Sequence, residues 1–361
     1  MRDIGVLWSV LTTSGKISNA GNYLICERGK NLLETYCDDE FNFVYIERTQ
    51  PFDVNFDGLI ILGGPVISRS LHNQSKNIIE STRGINVPIF CLGLGISGKK
   101  IDPDQDYFID DESTSFWKEV YQSSKLFSVR DKISQDVLNK YGIKAELTGC
   151  PALFNLEESK NSEMDGMKID RIAISIPHFT FGSTIRGNAI LFKPFFITLF
   201  FLYSLKKEFK DKELGLVFQH GIDNPIIRFV QKYARWIGMK TYDYVGKSLD
   251  SPELAQYDAQ IGTRLHSHIN FLALNKPSFL FNVDLRTDAF LSTISTPSAN
   301  YTFSGVKKLI KILSEDIRQE NFNEFRHVRD EISNYFVVMK EFIRKIVIFY
   351  EEKDSKGQLG S

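Results

Sequence analysis

The chain has little that would hold it together outside a large apolar core. Its four cysteines, Cys26, Cys37, Cys91 and Cys150, are widely spaced with no CxxC pair. That pattern argues against a disulfide framework or a zinc site and suits a reducing cytoplasm. No stretch reaches the roughly 18 uninterrupted apolar residues of a membrane span. The nearest, Ala189 to Leu205, is interrupted by Lys193-Pro194. Residues 1–16 hold one short apolar run and lack the layout of a signal peptide. A net charge of −1 leaves no electrostatic case for binding nucleic acid. Histidines and carboxylates do not cluster at ligand spacing, so neither a metal nor a cofactor is expected.

What is present describes a globular α/β protein. At 361 residues the chain exceeds one ordinary core, so two domains of roughly 150 residues each are expected. Short apolar runs ending in glycine recur: Ile4–Val10, Gly58–Leu62 before Gly63-Gly64, Pro88–Leu92 before Gly93-Leu94-Gly95, and Ala145–Thr148 before Gly149. Leu126–Val129 ends instead in Arg130-Asp131. Helical stretches run from about Tyr23 to Tyr36 and from Ser134 to Lys140. Continuous apolar strands alternating with helices predict a parallel sheet covered on both faces.

Residues 156–168 are polar and aperiodic, as a linker would be. The strand–helix pattern restarts at Ile172–Ile176, Gly215–Phe218, Lys240–Val245 and Ser278–Val283. The expected organisation is a first lobe over 1–155, a second over 169–304, C-terminal helices over 305–353 and a tail over 354–361. Two aromatic patches stand out among the 29 phenylalanines. Phe192–Tyr203 reads as a helix buried beside the second sheet, with a membrane-facing patch as the secondary reading. The last helix mixes Val337, Phe342, Ile346 and Phe349 with Lys340, Arg344 and Lys345. It is expected to pack its apolar stripe on the protein, with peripheral contact to the inner face of a membrane as a secondary role.

The most informative segment is Asp258-Ala259-Gln260-Ile261-Gly262-Thr263-Arg264-Leu265-His266-Ser267-His268-Ile269. It reads as a strand ending at Gly262 and a helix whose first turn carries Arg264 and His266. The first N–H groups of a helix lack internal partners and carry partial positive charge, so they attract anions. An arginine fork and an imidazole there would hold a phosphate or carboxylate and move a proton. His178 and His220 each follow a second-lobe strand directly and are the other candidate proton relays. His268, two residues beyond His266, faces elsewhere and reads as structural.

Five ordered blocks, spanning roughly Ser18 to Leu291, resemble the polysaccharide pyruvyl transferases. Asn19-Ala20-Gly21-Asn22 is similar to the family's Asn-x-Gly-Asp turn. Asp57 to Gly64 looks like its second strand, and Leu92-Gly93-Leu94-Gly95-Ile96 like its next glycine turn. Ser128-Val129-Arg130-Asp131 with Ser134, Leu138 and Gly142 matches a further block. Gly262-Thr263-Arg264-Leu265-His266 with Pro277 matches the most diagnostic one. Three departures stand out: Asn22 for an aspartate, Cys150-Pro151 for Asp-Pro, and Asp284-Leu285-Arg286 for a lysine-bearing sequence.

The resemblance implies two Rossmann-like lobes facing across a cleft, the GT-B arrangement. It also implies phosphoenolpyruvate as donor and a sugar or lipid-linked oligosaccharide as acceptor, joined as a cyclic pyruvate ketal. Donor contacts then fall to Arg264, Leu265, Arg130 and Arg286. Proton transfer falls to His266, with His178 or His220 as second relay. Acceptor contacts fall to Asn19, Gly21, Asn22 and Asp131. A nucleotide-sugar glycosyltransferase and a non-catalytic carbohydrate-binding relative are the competing readings, since both share the fold.

Overall fold

The computed structural model describes residues 1–8, 19–37, 41–47, 56–71, 87–100, 107–155, 167–178, 188–219 and 224–358. Two sheets form the frame. The first contains β1 (Arg2–Trp8), β2 (Phe41–Glu47), β3 (Gly58–Leu62), β4 (Pro65–Ser68), β5 (Ile89–Ser97), β6 (Ser124–Val129) and β7 (Glu146–Leu147). Its order is β2-β1-β3-β5-β6-β7, with β4 paired to β5. The second contains β8 (Arg171–Ser175), β9 (Glu213–Phe218), β10 (Lys240–Asp243), β11 (Ala259–Gly262), β12 (Ser278–Asn282) and β13 (Ser298–Asn300). Its order is β10-β9-β8-β11-β12-β13. The strand pairs are parallel in both.

Parallel strands need helical crossovers, and these cover both faces. β3 is buried at every position, as a continuous apolar run requires. The first lobe carries α1 (Ala20–Tyr36), α2 (Asp111–Ser123) and α3 (Lys132–Lys140). The second carries α4 (Asn188–Glu208), α5 (Pro225–Trp236), the short α6 (Pro252–Ala255), α7 (Leu265–Ala273), α8 (Leu285–Thr293) and α9 (Phe303–Gln319). Strand addition reverses between β1 and β3 in one sheet and between β8 and β11 in the other. Ligands of such sheets bind at the carboxyl ends of the strands flanking that reversal.

The last helix, α10 (Asn323–Gln358), joins the lobes. Its start packs Phe325 on Phe279 of the second lobe, with ring centroids 5.3 Å apart. Its far end lies on the first lobe, where the Tyr350 hydroxyl donates to the Asp57 carbonyl at 3.1 Å. There Tyr350 also meets Phe41 and Phe90 at 5.5 and 5.9 Å. Lys345 pairs with Glu146 at 2.6 Å, and Lys340 lies over the Phe336 ring at 4.9 Å. Of the expected stripe, Phe342 and Ile346 are buried and Phe349 lies against Phe90, so these pack on the protein, whereas Val337 is exposed. The helix also continues past 353, and Asp354 pairs with Arg2, so residues 354–358 extend the fold and are not a detached tail.

Other differences have simple causes. β2 and β4 escape the sequence pattern because neither is a continuous apolar run ending in glycine. β2 is an edge strand that alternates exposed and half-buried residues. The end of the strand expected over Ile4–Val10, most of the linker and residues 359–361 lie outside the described residues. Among the described residues no helix is long and apolar enough to cross a membrane. The described cysteines are all buried and unbridged.

Candidate active site

The carboxyl end of β11 feeds directly into α7. Thr263 N–H donates to the Ser175 carbonyl, and Arg264 N–H to the Ser175 hydroxyl at 3.1 Å. These bonds tie the turn to the neighbouring end of β8. Arg264 is therefore the N-cap residue and not part of the first turn. It supplies no side-chain cap, which leaves the first N–H groups of α7 open to an anion. Its Nε is held by the Ile176 carbonyl at 3.0 Å. Burial, with Arg286 close by, pushes its guanidinium down to about 10, while Asp284 opposes the shift.

A cavity of about 200 Å³ opens over this turn. Its walls include Arg264, Leu265 and His266 from the turn, His178 beyond β8, Gln219 beyond β9 and Arg286 on α8. Asn19 closes it from the first lobe. The Gln219 amide nitrogen, the Thr263 hydroxyl and His266 Nε2 are buried there with no hydrogen-bond partner among the described residues. Burial, Arg130, Arg286 and Arg264 together hold the His266 imidazole well below its usual value. The expectation of an acid poised near neutrality therefore does not follow from the protein's own groups, which all favour the neutral ring.

Arg130 is the second cation of the site, buried beneath the cavity rather than lining it. It leaves β6 and lies across β5, where a Cβ on Gly95 would stand 2.0 Å from its Nε. Only glycine leaves room for it. Its Nε reaches Asp131 at 3.4 Å, while Nη1 and Nη2 are buried with no hydrogen-bond partner among the described residues. Asp131 is fully occupied: it caps α3 by accepting from Ser134 N–H at 2.7 Å and faces Arg130. It orders the guanidinium and does not reach the cavity as an acceptor contact. Cys150 adjoins Arg130, and burial pushes its thiol up despite that charge.

Arg286 behaves differently. Both its Nε and Nη2 bond Asp284, and its side chain is 38% exposed. Asp284 also caps α8 through Thr287. This is a neutralised rim cation.

The first lobe meets His266 through the start of α1. Asn19 caps that helix, accepting from Gly21 N–H at 3.0 Å. A Cβ on Gly21 would stand 2.5 Å from His266 Nδ1. The contact is therefore reserved for glycine, and it puts the two reversal points face to face. Asn22 is half-buried on α1 and is not among the described lining residues. His178 lies at the mouth, lowered by burial and then by Arg264. His220 lies outside the described residues. His268 is structural: Ser278 and Thr296 bond its two ring nitrogens at 2.8 and 3.2 Å, and burial pushes it down to about 3.

The profile of the polysaccharide pyruvyl transferases matches residues 19–284, which includes both helix starts and Arg130. The chain belongs to the polysaccharide pyruvyl transferase family. No curated protein matches the sequence. Among solved structures, Staphylococcus aureus MnaA with UDP superposes with a TM-score of 0.61 at 14% identity, covering 98% of this chain and 97% of that one. A putative UDP-N-acetylglucosamine 2-epimerase from Listeria monocytogenes gives 0.57 at 12%, covering 97% and 96%. The Methanocaldococcus jannaschii UDP-GlcNAc 2-epimerase gives 0.55 at 9%, covering 96% and 99%. At these identities the likeness concerns the fold alone: two Rossmann-like lobes in the GT-B arrangement.

Several residues of this pyruvyl transferase family site carry no signal in sequence. Ser175, which fixes the Arg264 backbone, is an ordinary strand residue. Arg28 on α1 is buried and donates to the Ala152 carbonyl at 2.6 Å and to Asn270 Oδ1 at 2.5 Å. It thereby ties α1 to α7 one turn beyond His266. Gln219 could have been found, since it precedes His220 at the same strand end.

Proposed function

We propose that this enzyme transfers pyruvate from phosphoenolpyruvate to a pair of sugar hydroxyls, forming a cyclic ketal in the biosynthesis of a bacterial surface polysaccharide. The observation that carries this reading is a set of buried polar groups with no hydrogen-bond partner among the described residues: Gln219, Thr263 and His266 Nε2 at the cavity wall, with Arg130 Nη1 and Nη2 beneath it, all beside Arg264. Each buried polar group left without a partner costs about 1–3 kcal/mol, more when charged. A small ligand with a phosphate and a carboxylate satisfies several at once. The helix start of α7 suits one anion, and the guanidiniums suit both.

The chemistry then runs in two additions. A proton reaches the donor's methylene carbon, and a first sugar hydroxyl bonds to the adjacent carbon as it loses its own proton. A second hydroxyl displaces phosphate from that carbon and closes the ring, its proton leaving with the phosphate. His266 is the proton carrier. Binding of the anionic donor offsets the guanidinium field and raises the imidazole toward neutrality, so charging the ring is coupled to substrate arrival. Asn19, at the first-lobe helix start, faces the acceptor side.

Incubation with phosphoenolpyruvate and a panel of glycan precursors tests this. The expected result is acceptor-dependent phosphate release and a product carrying a pyruvate ketal by mass spectrometry. Nucleotide release from nucleotide sugars with no consumption of phosphoenolpyruvate would assign glycosyl transfer. EDTA is expected to leave turnover unchanged.

A further inference from the structure

The second lobe carries an exposed aromatic surface that the cavity does not use. α4 and α5 pack against one another. They expose Phe196 (53%), Tyr203 (55%), Phe229 (52%) and Trp236 (81%). The rings form one surface. Phe195 lies 5.5 Å from Phe196 and 5.7 Å from Phe229. Tyr233 lies 6.0 Å from Trp236 and neighbours Tyr203. On each helix the outer aromatics are seven residues apart, a span of about 10 Å. Contiguous aromatic exposure of this kind marks an interaction site.

The charge on these two helices is predominantly basic. Lys193, Lys207, Lys232 and Arg235 are exposed on the same two helices. α5 has no acidic residue, and the only one on α4, Glu208, accepts from Ser314. We propose that this face docks the protein on an anionic lipid surface, with the rings at the headgroup boundary and the cations on lipid phosphates.

A second copy of the chain is the poorer occupant. A two-fold interface would set these lysines and arginines against themselves, and interface cores are depleted in lysine. Helices of a parallel sheet begin at the carboxyl ends of its strands, so Phe229, in the second turn of α5, stands toward the cavity end of the lobe. A lipid-borne acceptor would arrive there. α10, the other basic aromatic helix, is already committed to the first lobe.

Co-sedimentation of the full chain with vesicles tests the proposal independently of catalysis. Binding is expected to vesicles of equal parts phosphatidylglycerol and phosphatidylcholine, at least roughly tenfold tighter than to phosphatidylcholine alone, and to weaken with salt. Lys207→Gln with Lys232→Gln is expected to cost more than about tenfold, since each cation near the surface contributes roughly fivefold. Phe229→Ser with Trp236→Ser should abolish binding. Each variant alters exposed side chains only, so its melting temperature should match the parent. Arg344→Gln on α10 is the control and should bind normally. Absent or charge-independent vesicle binding would overturn the proposal. So would loss of binding in the Arg344 variant alone, or a concentration-dependent dimer that the aromatic substitutions dissolve.

Discussion

The two lobes use the same parallel-sheet design but complete it differently. The second lobe is covered by helices of its own, and α7, at the centre of the molecule, is buried along its whole length. The first lobe borrows its cover, because one face of its sheet is roofed by α10, which begins on the second lobe and ends at Tyr350. The site divides the same way. The second lobe supplies the anion-binding turn and a rim cation, Arg286, whose charge Asp284 already answers. The first lobe supplies a glycine contact and a cation, Arg130, whose Nε faces Asp131 while its terminal nitrogens find no hydrogen-bond partner among the described residues. A neutralised rim charge is cheap to keep. A buried cation whose donors are only partly satisfied is costly, and such groups concentrate where a ligand is to complete them.

The sharpest way to break this asymmetry is to remove the roof. Truncation before Val337 deletes Phe342, Ile343, Ile346 and Tyr350, all buried. Each large apolar side chain removed from a core costs about 2–5 kcal/mol, so the four together, about 8–20 kcal/mol, match the usual 5–15 kcal/mol of a whole domain. Thermal unfolding and hydrogen exchange should show the first lobe melted, with protection persisting in β8–β12. Uniform protection in both lobes would show that the roof is dispensable.

Catalytic substitutions come next. His266→Asn should keep the fold and donor binding but lower kcat by roughly 10²–10⁴. Unchanged turnover would move the proton to His178 or His220. Arg130→Ala should cost about 10²–10³ in kcat/KM, the usual worth of a buried donor facing developing charge. Arg286→Ala should cost about tenfold or less, since its charge is already screened. Equal losses at the two arginines would erase the contrast drawn between them. Arg264→Ala should raise the donor KM, and Arg264→Lys should recover only part, because an ammonium cannot bind bidentately.

Smaller still is Gly21→Ala. The added methyl would meet the His266 ring at 2.5 Å, so the imidazole or α1 must shift. Overpacking of this kind costs about 1–3 kcal/mol, and turnover should fall with little change in donor affinity. The mildest test is pH. His266 and His268 both have folded values below their unfolded ones, so the unfolded chain binds the protons. Stability is then fully present above the unfolded value, near 6.5, and falls as pH drops below it, by up to about 1.4 kcal/mol per unit for each ring. Phosphoenolpyruvate should blunt the fall through His266 alone, and His266→Asn should remove that share while His268 keeps the rest. A melting temperature flat between pH 7 and pH 5 would contradict both shifts.

The glycine-ended apolar runs and the Arg264-Leu265-His266 turn were legible along the chain. Each is a local pattern whose physics acts within a few residues: strand period, turn chemistry and helix start. That sufficed for the α/β class, for the two-lobed plan through family resemblance, and for one half of the site. Other features depended on residues far apart in sequence. Gly21 lies against His266, Gly95 lies under Arg130, and Arg28 grips Asn270. Asp131 and Asp284 looked alike as residues beside an arginine, yet one is buried with its guanidinium and the other sits on a rim. The same holds for the two aromatic helices: α10 buries its apolar residues across both lobes, whereas α4 buries Ile197, Phe201 and Leu205 beside the second sheet and leaves Phe196 and Tyr203 exposed. Sequence determined which groups carry charge or apolar surface. Burial determined what those groups can do, because desolvation and the fields of distant neighbours exist only once the lobes have closed on each other.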